Sequence, residues 1–454
     1  MQKMNWYKLM TTEKIYSSSI RVNDNNDRSE FERDHNKIIF SPFFRQLQNK
    51  TQLFPITQSD FIHSRLTHSL EVASVGQSLG NLVAKHIIEK QLSSDLPHNF
   101  AAAVTTIVGA ACLLHDIGNP PFGHAGEEAI SAFFLHNAKL LKPHLSNRII
   151  DQLCHFDGNA QALRFINVAN DLNLTFATIA SVIKYPTVYN DAGIYGKKHS
   201  VFISELELFE KIALSCGLVK HKKINYCRHP LAFLVEAADD ICYRLLDLED
   251  AHKLGLIKYS EAETLLLQII ESKKNKNLSL VRESISKLVV EDKFARLRSY
   301  ALNILIGEIV QQFILHYPEI INGHYTSLIV NGKLSGLMDM LLMSHSEVSQ
   351  ALFAIGNLVK NNAYLHPPVL EMELSGYEVL GYLLEQFIGA ALNSHNPFLK
   401  RSVKLLQLLP ERFRVYTNLE QQIMLITDYI ASQSDRYAMN LYRKLRASDP
   451  PLGS

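Results

Sequence analysis

The feature that most constrains this chain is an apolar stretch, residues 100–115, that stops abruptly at the sequence HDIGNPPFGH. The stretch is apolar on every side of a helix, which is typical of a helix in the centre of a domain. Residues 118–121, Gly-Asn-Pro-Pro, cannot continue it, because proline lacks the amide hydrogen and clashes with the preceding turn. A new helix is expected to begin near Ala125. His115 and Asp116 are therefore predicted to lie at the open end of a buried helix.

Apolar residues recur at helical spacing along most of the chain, which predicts an all-α fold with at most short hairpins. Two stretches have some strand character, 189–201 and 320–330, and each is either a small hairpin or a long loop. The predicted helices cover residues 69–92, 100–115, a segment from about 125, 145–169, 176–184, 203–215, 230–254, 260–271, 278–317 in pieces, 334–361, 375–394, 399–409 and 418–445.

Length and charge limit what the chain can be. Its 454 residues exceed the roughly 250–300 over which one core usually grows, so we expect a large domain with an elaborated C-terminal part. The formal net charge is +1, and a nearly neutral chain has no overall field that attracts a polyanion. Any phosphate binding must therefore come from a local cluster of cations, and binding of single-stranded nucleic acid is not supported by charge.

The cysteine pattern and the lack of long apolar runs indicate the compartment. There are five cysteines, an odd number, and no two of them form a CxxC pair. We interpret them as reduced thiols in a reducing compartment. The N-terminus has no apolar core of signal-peptide length, and no run reaches the ~18 apolar residues of a membrane span. The expected location is the cytoplasm, without membrane association.

Four residues from three distant segments form a candidate metal site: His68, His115, Asp116 and Asp239. Adjacent helical residues point about 100° apart, so His115 and Asp116 can reach one ion only near a helix end. Asp239 lies in an apolar helical stretch, where an unpaired charge is expensive. Two imidazoles and two carboxylates suit Mn²⁺, Mg²⁺, Fe²⁺ or Co²⁺ better than a closed tetrahedral zinc site. The alternative is a set of unrelated capping or core residues, which the adjacent pair in LLHDIGNPPFGH argues against.

At this point the sequence resembles a known family. The order His…His-Asp…Asp is the signature of HD domains. The local sequences resemble those of the bacterial deoxyguanosine triphosphate triphosphohydrolases, whose mammalian relative is the SAM-and-HD-domain triphosphohydrolase. The matching motifs are Phe31-x-x-Asp34, SPFFRQLQNKTQLFP (41–55), RLTHSLEV (65–72), ACLLHDIGNPPFGHAGEEAI (111–130), FDGNAQALR (156–164), KYP (184–186) and EAADDICYRLLDLEDA (236–251). The resemblance is strong over 28–255 and continues weakly to TDYIASQSDRYA (427–438).

The resemblance implies a division of the chain and a metal-ligand set. The division is an N-terminal extension (1–27), an HD-domain catalytic core (28–255) and a helical C-terminal region (256–454) that packs on the core and contributes to oligomer contacts. Of the two adjacent aspartates, the ligand in the family is the one four residues before the tyrosine, which is Asp239 rather than Asp240. The implied ligands of a divalent metal are His68, His115, Asp116 and Asp239.

His124 and Glu127 are the predicted catalytic pair. A histidine and a carboxylate three residues apart at a helix start can hydrogen-bond, which sets the imidazole tautomer and raises its basicity. The resemblance implies that this pair handles the proton of an attacking water. The alternative is a helix cap with a solvated histidine.

Asp239, Tyr243 and Asp247 recur every four residues, so they follow one stripe of a helix. The resemblance supports contact of Tyr243 with a deoxyribose and of Asp247 with its 3′-hydroxyl. A tyrosine close to C2′ would also exclude a ribose by clash. The alternative for Tyr243 is a core residue.

Further substrate contacts are expected from cations and amides. Arg65 shares a helix face with His68, and Lys184 and Tyr185 resemble the phosphate contacts of the family. Asn159 and Gln48 are amides that could contact base or sugar edges or brace a loop. A structural ion pair is expected between Arg45 and Asp34, while Arg401 and Arg436 are candidates for a neighbour's pocket or an effector site.

The expected function is hydrolysis of dGTP, or of other dNTPs, to deoxynucleoside and tripolyphosphate by a homo-oligomer; hexamers occur among bacterial relatives. One alternative is another HD phosphohydrolase that acts on monophosphates or cyclic nucleotides, against which the EAADDICY and KYP segments argue. A second is a nucleotide-sensing module that binds nucleic acid. An iron oxygenase is disfavoured, because that chemistry commonly uses two histidines and one carboxylate.

Overall fold

The structure is a computed structural model that describes residues 3–16, 28–54, 62–169, 172–189, 193–221, 225–273, 278–393 and 400–446. These residues form α-helices α1 Trp6–Leu9, α2 Glu30–Phe40, α3 Pro42–Arg45, α4 Arg65–Glu89, α5 Phe100–Leu114, α6 Gly123–Leu141, α7 Asn147–Cys154, α8 Gly158–Val168, α9 Phe176–Val182, α10 Leu206–Ser215, α11 Ala232–Lys253, α12 Tyr259–Glu271, α13 Leu278–Ser286, α14 Val290–Asn322, α15 Leu337–Met343, α16 Glu347–Val359, α17 Pro367–Leu392, α18 Lys400–Gln407, α19 Leu419–Ala431 and α20 Asp435–Leu445.

Short 3₁₀ turns at Gln46–Asn49, Gly193–Tyr195, Ile203–Glu205 and Glu411–Phe413 and one π-helical turn at Lys360–Tyr364 complete the helical part. Extended structure in the described residues consists of the antiparallel pair β1 Ile329–Val330 and β2 Lys333–Leu334 and a few isolated bridges. The predicted all-α class is confirmed.

The apolar helix α5 lies at the centre of the fold. It packs along α4 and also contacts α2, α9 and α11, and its residues from Ile107 to Leu114 are buried on every side. This coverage explains why its sequence lacks a polar side. α4 and α11 also pack on each other, and the three helices that carry the predicted metal ligands therefore form one unit.

The described part of the N-terminus is built into this unit. The Trp6 indole donates a hydrogen bond to the hydroxyl of Tyr317 at 2.9 Å and stacks edge-on against Phe100. The backbone amide of Met4 donates to the carbonyl of Ile321 at 3.0 Å. The first helix thus joins α5 to α14.

The C-terminal helices share the same hydrophobic core as the N-terminal ones. α14 contacts α4, α11 and α12, and α17 packs along α6 and against α18, α19 and α20. α14 thus packs on the helices of the central unit, whereas α17 packs on α6 and on the last helices of the chain.

In the residues that the structure describes, neither stretch with strand character folds into a hairpin of its own. α14 continues to Asn322 and ends at Gly323, whose φ of 67° is left-handed. The Asn-Gly pair is therefore a helix C-terminus, a position that glycine favours for the same conformational reason as a tight turn. The described part of 189–201 is a loop with one 3₁₀ turn and a bridge between Val188 and Val201.

Several helix boundaries differ from those predicted. The stretch 145–169 is divided between α7 and α8, and 334–361 is divided between α15 and α16 with a π-helical turn after them. α17 begins at Pro367, eight residues earlier than predicted, because proline is tolerated in the first turn of a helix.

The expected pair between Asp34 and Arg45 is wrong. Asp34 is buried and accepts hydrogen bonds from the backbone and hydroxyl of Thr175 and from the hydroxyl of Thr178. The guanidinium of Arg45 lies over the ring of Phe40. The five cysteines are free thiols, and no helix of the described part is long and apolar enough to span a membrane.

The loop after α5 is pressed against α8 at Gly118. A β-carbon at this position would lie 2.1 Å from the carbonyl oxygen of Gly158 and 2.3 Å from the amide nitrogen of Ala162. Backbone atoms cannot move aside as a side chain can, so Gly118→Ala should destabilise the fold by about 1–3 kcal/mol through overpacking. Urea unfolding measures this change.

The matched control is Gly307→Ala in α14, where a β-carbon would meet no atom within 4 Å. In a helix interior this change should be neutral or stabilising by up to about 1 kcal/mol. Equal stabilities of the two variants would contradict the packing argument.

Candidate metal centre and active site

Three helices bring two imidazoles and a carboxylate to one point. His68 lies on α4, Asp239 on α11, and His115 directly follows α5. Nε2 of His68 is 3.0 Å from Oδ1 of Asp239, and Nε2 of His115 is 3.5 Å from the same oxygen. One ligand atom from each residue lies within 4.8 Å of the others, as a shared metal ion requires.

The orientation of His115 fits metal binding. Its Nδ1 lies 2.7 Å from the carbonyl of Cys112, which places the proton on Nδ1. Its Nε2 is buried and has no hydrogen-bond partner among the described residues. Metal-ligating histidines commonly donate one ring nitrogen to a carbonyl and present the other to the ion. A divalent cation could be coordinated by this buried, unpartnered nitrogen together with the adjacent carboxylate.

Asp116 lies at the edge of this group. Its Oδ2 is 3.6 Å from Nε2 of His115, and the same oxygen accepts a hydrogen bond from the guanidinium of Arg65 at 2.7 Å. The side-chain amide of Asn119 donates to the other oxygen. The structure therefore places Asp116 beside the three converging residues, with both of its oxygens engaged by neighbours.

The electrostatics of the group follow from its burial and composition. Burial alone would raise the pKa of Asp239, but the adjacent His115 and His68 outweigh it and hold that pKa well below its ordinary value. Burial likewise opposes protonation of His115, yet the carboxylates of Asp116 and Asp239 raise its pKa to about 9. The group is thus a site where positive charge is strongly favoured.

A cavity of about 530 Å³ opens beside this group. Its volume is within the roughly 300–1,000 Å³ that is usual for small-molecule sites. It is lined by residues from both halves of the chain: Thr51, Gln52, Leu53, Arg65, His115, Asp116, Asn119, Phe122, Gly123, His124, Glu127, Asn159, Val182, Lys184, Tyr185, Lys198, Ala232, Val235, Glu236, Asp239, Asp240, Tyr243, Tyr364, Val369, Met372 and Glu373.

His124 and Glu127 meet at the wall of this cavity. Nδ1 of His124 is 3.1 Å from Oε2 of Glu127, and this hydrogen bond raises the pKa of His124. The other oxygen of Glu127 accepts the backbone amide of Gly158 at 2.7 Å. Glu127 is therefore held by the start of α8, and it fixes the ring of a histidine whose side chain is largely exposed to the cavity.

Comparison with known proteins agrees with this geometry. A model of the HD domain family matches residues 65–170. A deoxyguanosinetriphosphate triphosphohydrolase-like protein of Synechocystis sp. is 34% identical over 98% of this chain and 99% of its own length. A protein of the same name from Listeria monocytogenes is 32% identical over 97% and 99%. The deoxyguanosinetriphosphate triphosphohydrolase of Klebsiella pneumoniae is 30% identical over 92% and 94%.

The chain belongs to the deoxyguanosinetriphosphate triphosphohydrolase family of HD-domain proteins. The HD-domain match begins at residue 65 and ends at residue 170, two residues after the end of α8, so it contains His68, the His115-Asp116 pair and the His124–Glu127 pair. Asp239 lies beyond it on α11 and is brought to the site by tertiary packing.

In this family member, five of the seven predicted substrate residues line the cavity, and four of these are Asn159, Lys184, Tyr185 and Tyr243. The ammonium of Lys184 is 3.1 Å from a carboxylate oxygen of Glu236, which also pairs with Arg228. Arg65 lines the cavity as well, although its guanidinium is bonded to Asp116.

Two predicted substrate residues lie outside the cavity wall. Gln48 is exposed and is not among the lining residues. Asp247 is buried, and its Oδ2 accepts a hydrogen bond from the hydroxyl of Tyr364 at 2.9 Å. The same hydroxyl bonds to that of Tyr243. Asp247 therefore lies behind the two tyrosines that face the cavity.

Sequence reasoning missed Tyr364, Lys198 and Asp240 as cavity residues. Tyr364 ends the π-helical turn after α16, and no motif connects that turn with the HD residues. Lys198 follows Lys197 in a polar loop, which reads as an ordinary surface segment. Asp240 follows the expected ligand, and burial raises its pKa to about 7.

The neighbouring pair Asp239-Asp240 gives a direct test of ligand identity. Asp239→Asn should weaken Mn²⁺ binding by more than about 100-fold, because loss of even a supporting residue typically costs 10–100-fold. Asp240→Asn keeps the three converging ligand atoms and should bind Mn²⁺ with an affinity close to that of the wild type. Isothermal titration with Mn²⁺ measures both, and the reverse order would show that Asp240 is the ligand.

A second contact ties the ligand-bearing helices together. His63 precedes α4, and its Nδ1 lies 2.7 Å from Oδ1 of Asp250 on α11, while its Nε2 lies 3.3 Å from Glu71. Burial opposes protonation, but the two carboxylates raise the pKa of His63 to about 9. Protonated His63 therefore bridges α4 and α11.

This bridge should make stability depend on pH. Because the folded pKa of about 9 lies above the unfolded value of about 6.5, the contribution is fully present below pH 6.5 and is lost as the pH rises through 9. Wild type should exceed His63→Gln in unfolding free energy by up to about 3 kcal/mol at pH 6, and the gap should narrow by pH 9.5.

Urea unfolding at both pH values measures the gap. The control is His86→Gln, a half-exposed histidine on α4 whose Nδ1 lies 3.9 Å from the carboxylate of Glu89. A gap that is equal at pH 6 and pH 9.5 would contradict the ionic bridge.

Proposed function

We propose that this protein is a metal-dependent dNTP triphosphohydrolase that acts on dGTP and releases deoxyguanosine and tripolyphosphate. The observation that carries the proposal is the convergence of His68, His115 and Asp239, of which His115 and Asp239 line the same nucleotide-sized cavity as the His124–Glu127 pair. The names of the full-length relatives supply the substrate class.

The residues that would hold the metal are His68, His115 and Asp239, with Asp116 beside them. When bound, a divalent cation supplies positive charge that stabilises phosphate oxygens and lowers the pKa of water. The mixed imidazole and carboxylate set suits Mn²⁺ or Mg²⁺, and also Fe²⁺ or Co²⁺.

His124 is the proposed proton carrier. Its Nδ1–H donates to Glu127, so Nε2 is free to accept a proton. Water attacks the α-phosphorus and passes a proton to Nε2, while the bond between that phosphorus and the 5′-oxygen breaks. The protonated imidazole then donates its proton to the 5′-oxygen, which leaves as the hydroxyl of the deoxynucleoside. Glu127 stabilises the imidazolium in between.

The triphosphate would be held by cations that line the cavity, Arg65, Lys184 and Lys198. The pKa of Lys184 is raised, since the nearby Glu236 outweighs the opposing effect of burial, so its ammonium is charged at any working pH. In a chain with a net charge of +1, such a local cluster is the means of attracting a polyanion.

The deoxyribose would lie against Tyr243 and Tyr364. Both rings line the cavity, their hydroxyls bond to each other, and the hydroxyl of Tyr364 also bonds to Asp247 behind them. A rigid tyrosine pair leaves little room for a 2′-hydroxyl, so we propose that it excludes ribonucleotides by clash.

The test is product analysis. The protein with Mn²⁺ or Mg²⁺ is incubated with each dNTP, alone and in pairs, and with GTP and dGMP, and the products are separated by ion exchange. We expect deoxyguanosine and tripolyphosphate in equal amounts from dGTP, and little turnover of GTP. Pyrophosphate or orthophosphate as the first product would reject the mechanism, and turnover of dGMP instead would indicate a different HD phosphohydrolase.

His124→Ala should lower kcat by a factor on the order of 10²–10⁴, the usual contribution of a general acid–base group. His136→Ala is the matched control, because His136 lies on the same helix, α6, and is exposed away from the cavity lining. Metal affinity should be unchanged in both variants.

A further inference from the structure

The loop between α5 and α6 contains an unusual bend. Phe122 and Gly123 are both left-handed, with φ of 64° and 58°. A residue with a β-carbon is strained in this region, and such strain persists only where surrounding contacts hold it. The bend directly precedes His124, so whatever holds Phe122 also sets the position of His124.

One carboxylate from the end of the chain contacts this bend. Asp435 is the first residue of α20. Its Oδ1 accepts the backbone amide of Phe122 at 2.9 Å, and its Oδ2 accepts the backbone amide of Thr51 at 2.8 Å. Phe122 and Thr51 both line the cavity. Hydrogen bonds to a carboxylate are roughly twice as strong as neutral ones, which suits Asp435 to hold a strained backbone.

A buried lysine makes a parallel connection. The side chain of Lys50 is fully buried, and its ammonium donates to the carbonyl of Asn119 in the loop and to the carbonyl of Ala431, the last residue of α19, at 3.0 Å. The junction between α19 and α20 therefore contacts the loop at two points, through Lys50 and through Asp435.

The opposite side of Phe122 is closed by α17. A β-carbon at Gly376 would lie 2.9 Å from that of Phe122, so the side chain of Phe122 packs directly against the backbone of α17 at this glycine. Phe122 is thus held between α17 and the first turn of α20, both of which belong to the C-terminal half of the chain.

We propose that Asp435 is a positioning residue for the loop 116–124. It holds the left-handed Phe122 so that His124 meets Glu127 and faces the cavity, and it does so from a helix that contributes no residue to the metal group. This inference rests on the proposed function for its effect on turnover. Its structural part, restraint of the loop by Asp435, stands independently of the substrate.

Two substitutions of Asp435 weaken its contact with the loop to different degrees. Asp435→Asn keeps the shape but replaces one acceptor oxygen with an amide, so one of the two backbone hydrogen bonds is lost, and Asp435→Ala removes both. We expect kcat for dGTP to fall about 10-fold in the first variant and on the order of 100-fold in the second, the effect of a small misplacement of a catalytic group. KM for dGTP and the affinity for Mn²⁺ should remain within about threefold of the wild type.

Asp292→Ala is the matched control. Asp292 is also an aspartate in the first turn of a helix, α14, but it is exposed and does not line the cavity. Like Asp435, Asp292 interacts with the dipole at the start of its helix. An effect of Asp435→Ala that Asp292→Ala does not share is therefore an effect on the loop and not on a helix end.

Amide hydrogen exchange followed by mass spectrometry gives a readout that does not depend on activity. Peptides that cover residues 116–124 should exchange faster in Asp435→Ala than in the wild type, while peptides from α4 and α11 should be unchanged. Asp292→Ala should leave exchange of the loop as it is in the wild type.

The outcomes separate clearly. If Asp435→Ala keeps kcat within about twofold of the wild type, or if Mn²⁺ affinity falls in parallel with turnover, the positioning role is overturned. If the alanine variant does not fold, the isosteric asparagine variant decides. If the wild type turns over no dNTP, the proposed function fails, and loop exchange alone then supports or overturns the role of Asp435.

Discussion

The site depends on the partly buried carboxylate of Asp239, a charge that is expensive to remove from water without partners. Nε2 of His68 lies 3.0 Å and Nε2 of His115 lies 3.5 Å from its Oδ1 and provide those partners. Those two contacts require that α4, the end of α5 and α11 meet at one point. The central packing of α5 against the other two helices satisfies the same requirement with apolar contacts.

Helices of the C-terminal half contact the segments that carry residues of the site. Asp428 on α19 is buried and accepts hydrogen bonds from Arg164 and Gln161 on α8, while Arg164 also pairs with Glu205. α8 is the helix whose first amide holds Glu127. Together with the contacts of Asp435 and Lys50, this network means that the loop between α5 and α6 and helix α8 are both held by contacts with α19 and α20.

Much of the fold and of the candidate site could be predicted from sequence, where the residues concerned are close in the chain or belong to a specific motif. The all-α class followed from periodicity. The HD signature selected His68, His115, Asp116 and Asp239, and the structure brings one ligand atom each from His68, His115 and Asp239 within 4.8 Å of one another. The adjacent positions of His124 and Glu127 allowed a hydrogen bond that the structure contains. The expected pair of Asp34 with Arg45 was wrong, because two threonines that are remote in sequence satisfy Asp34 instead.

The sequence by itself determined the buried helix, its abrupt end at Gly-Asn-Pro-Pro and the residue types available for metal and proton chemistry, since these depend on local periodicity and short spacings. Only the tertiary structure decided that Tyr364 lines the cavity and bonds to Asp247, and that Lys198 faces the cavity. The same is true of the hydrogen bond from the amide of Phe122 to Asp435, which is 313 residues away in sequence. Contacts of that kind depend on how distant helices pack. The local sequence around these residues does not distinguish them from surface residues of the same type.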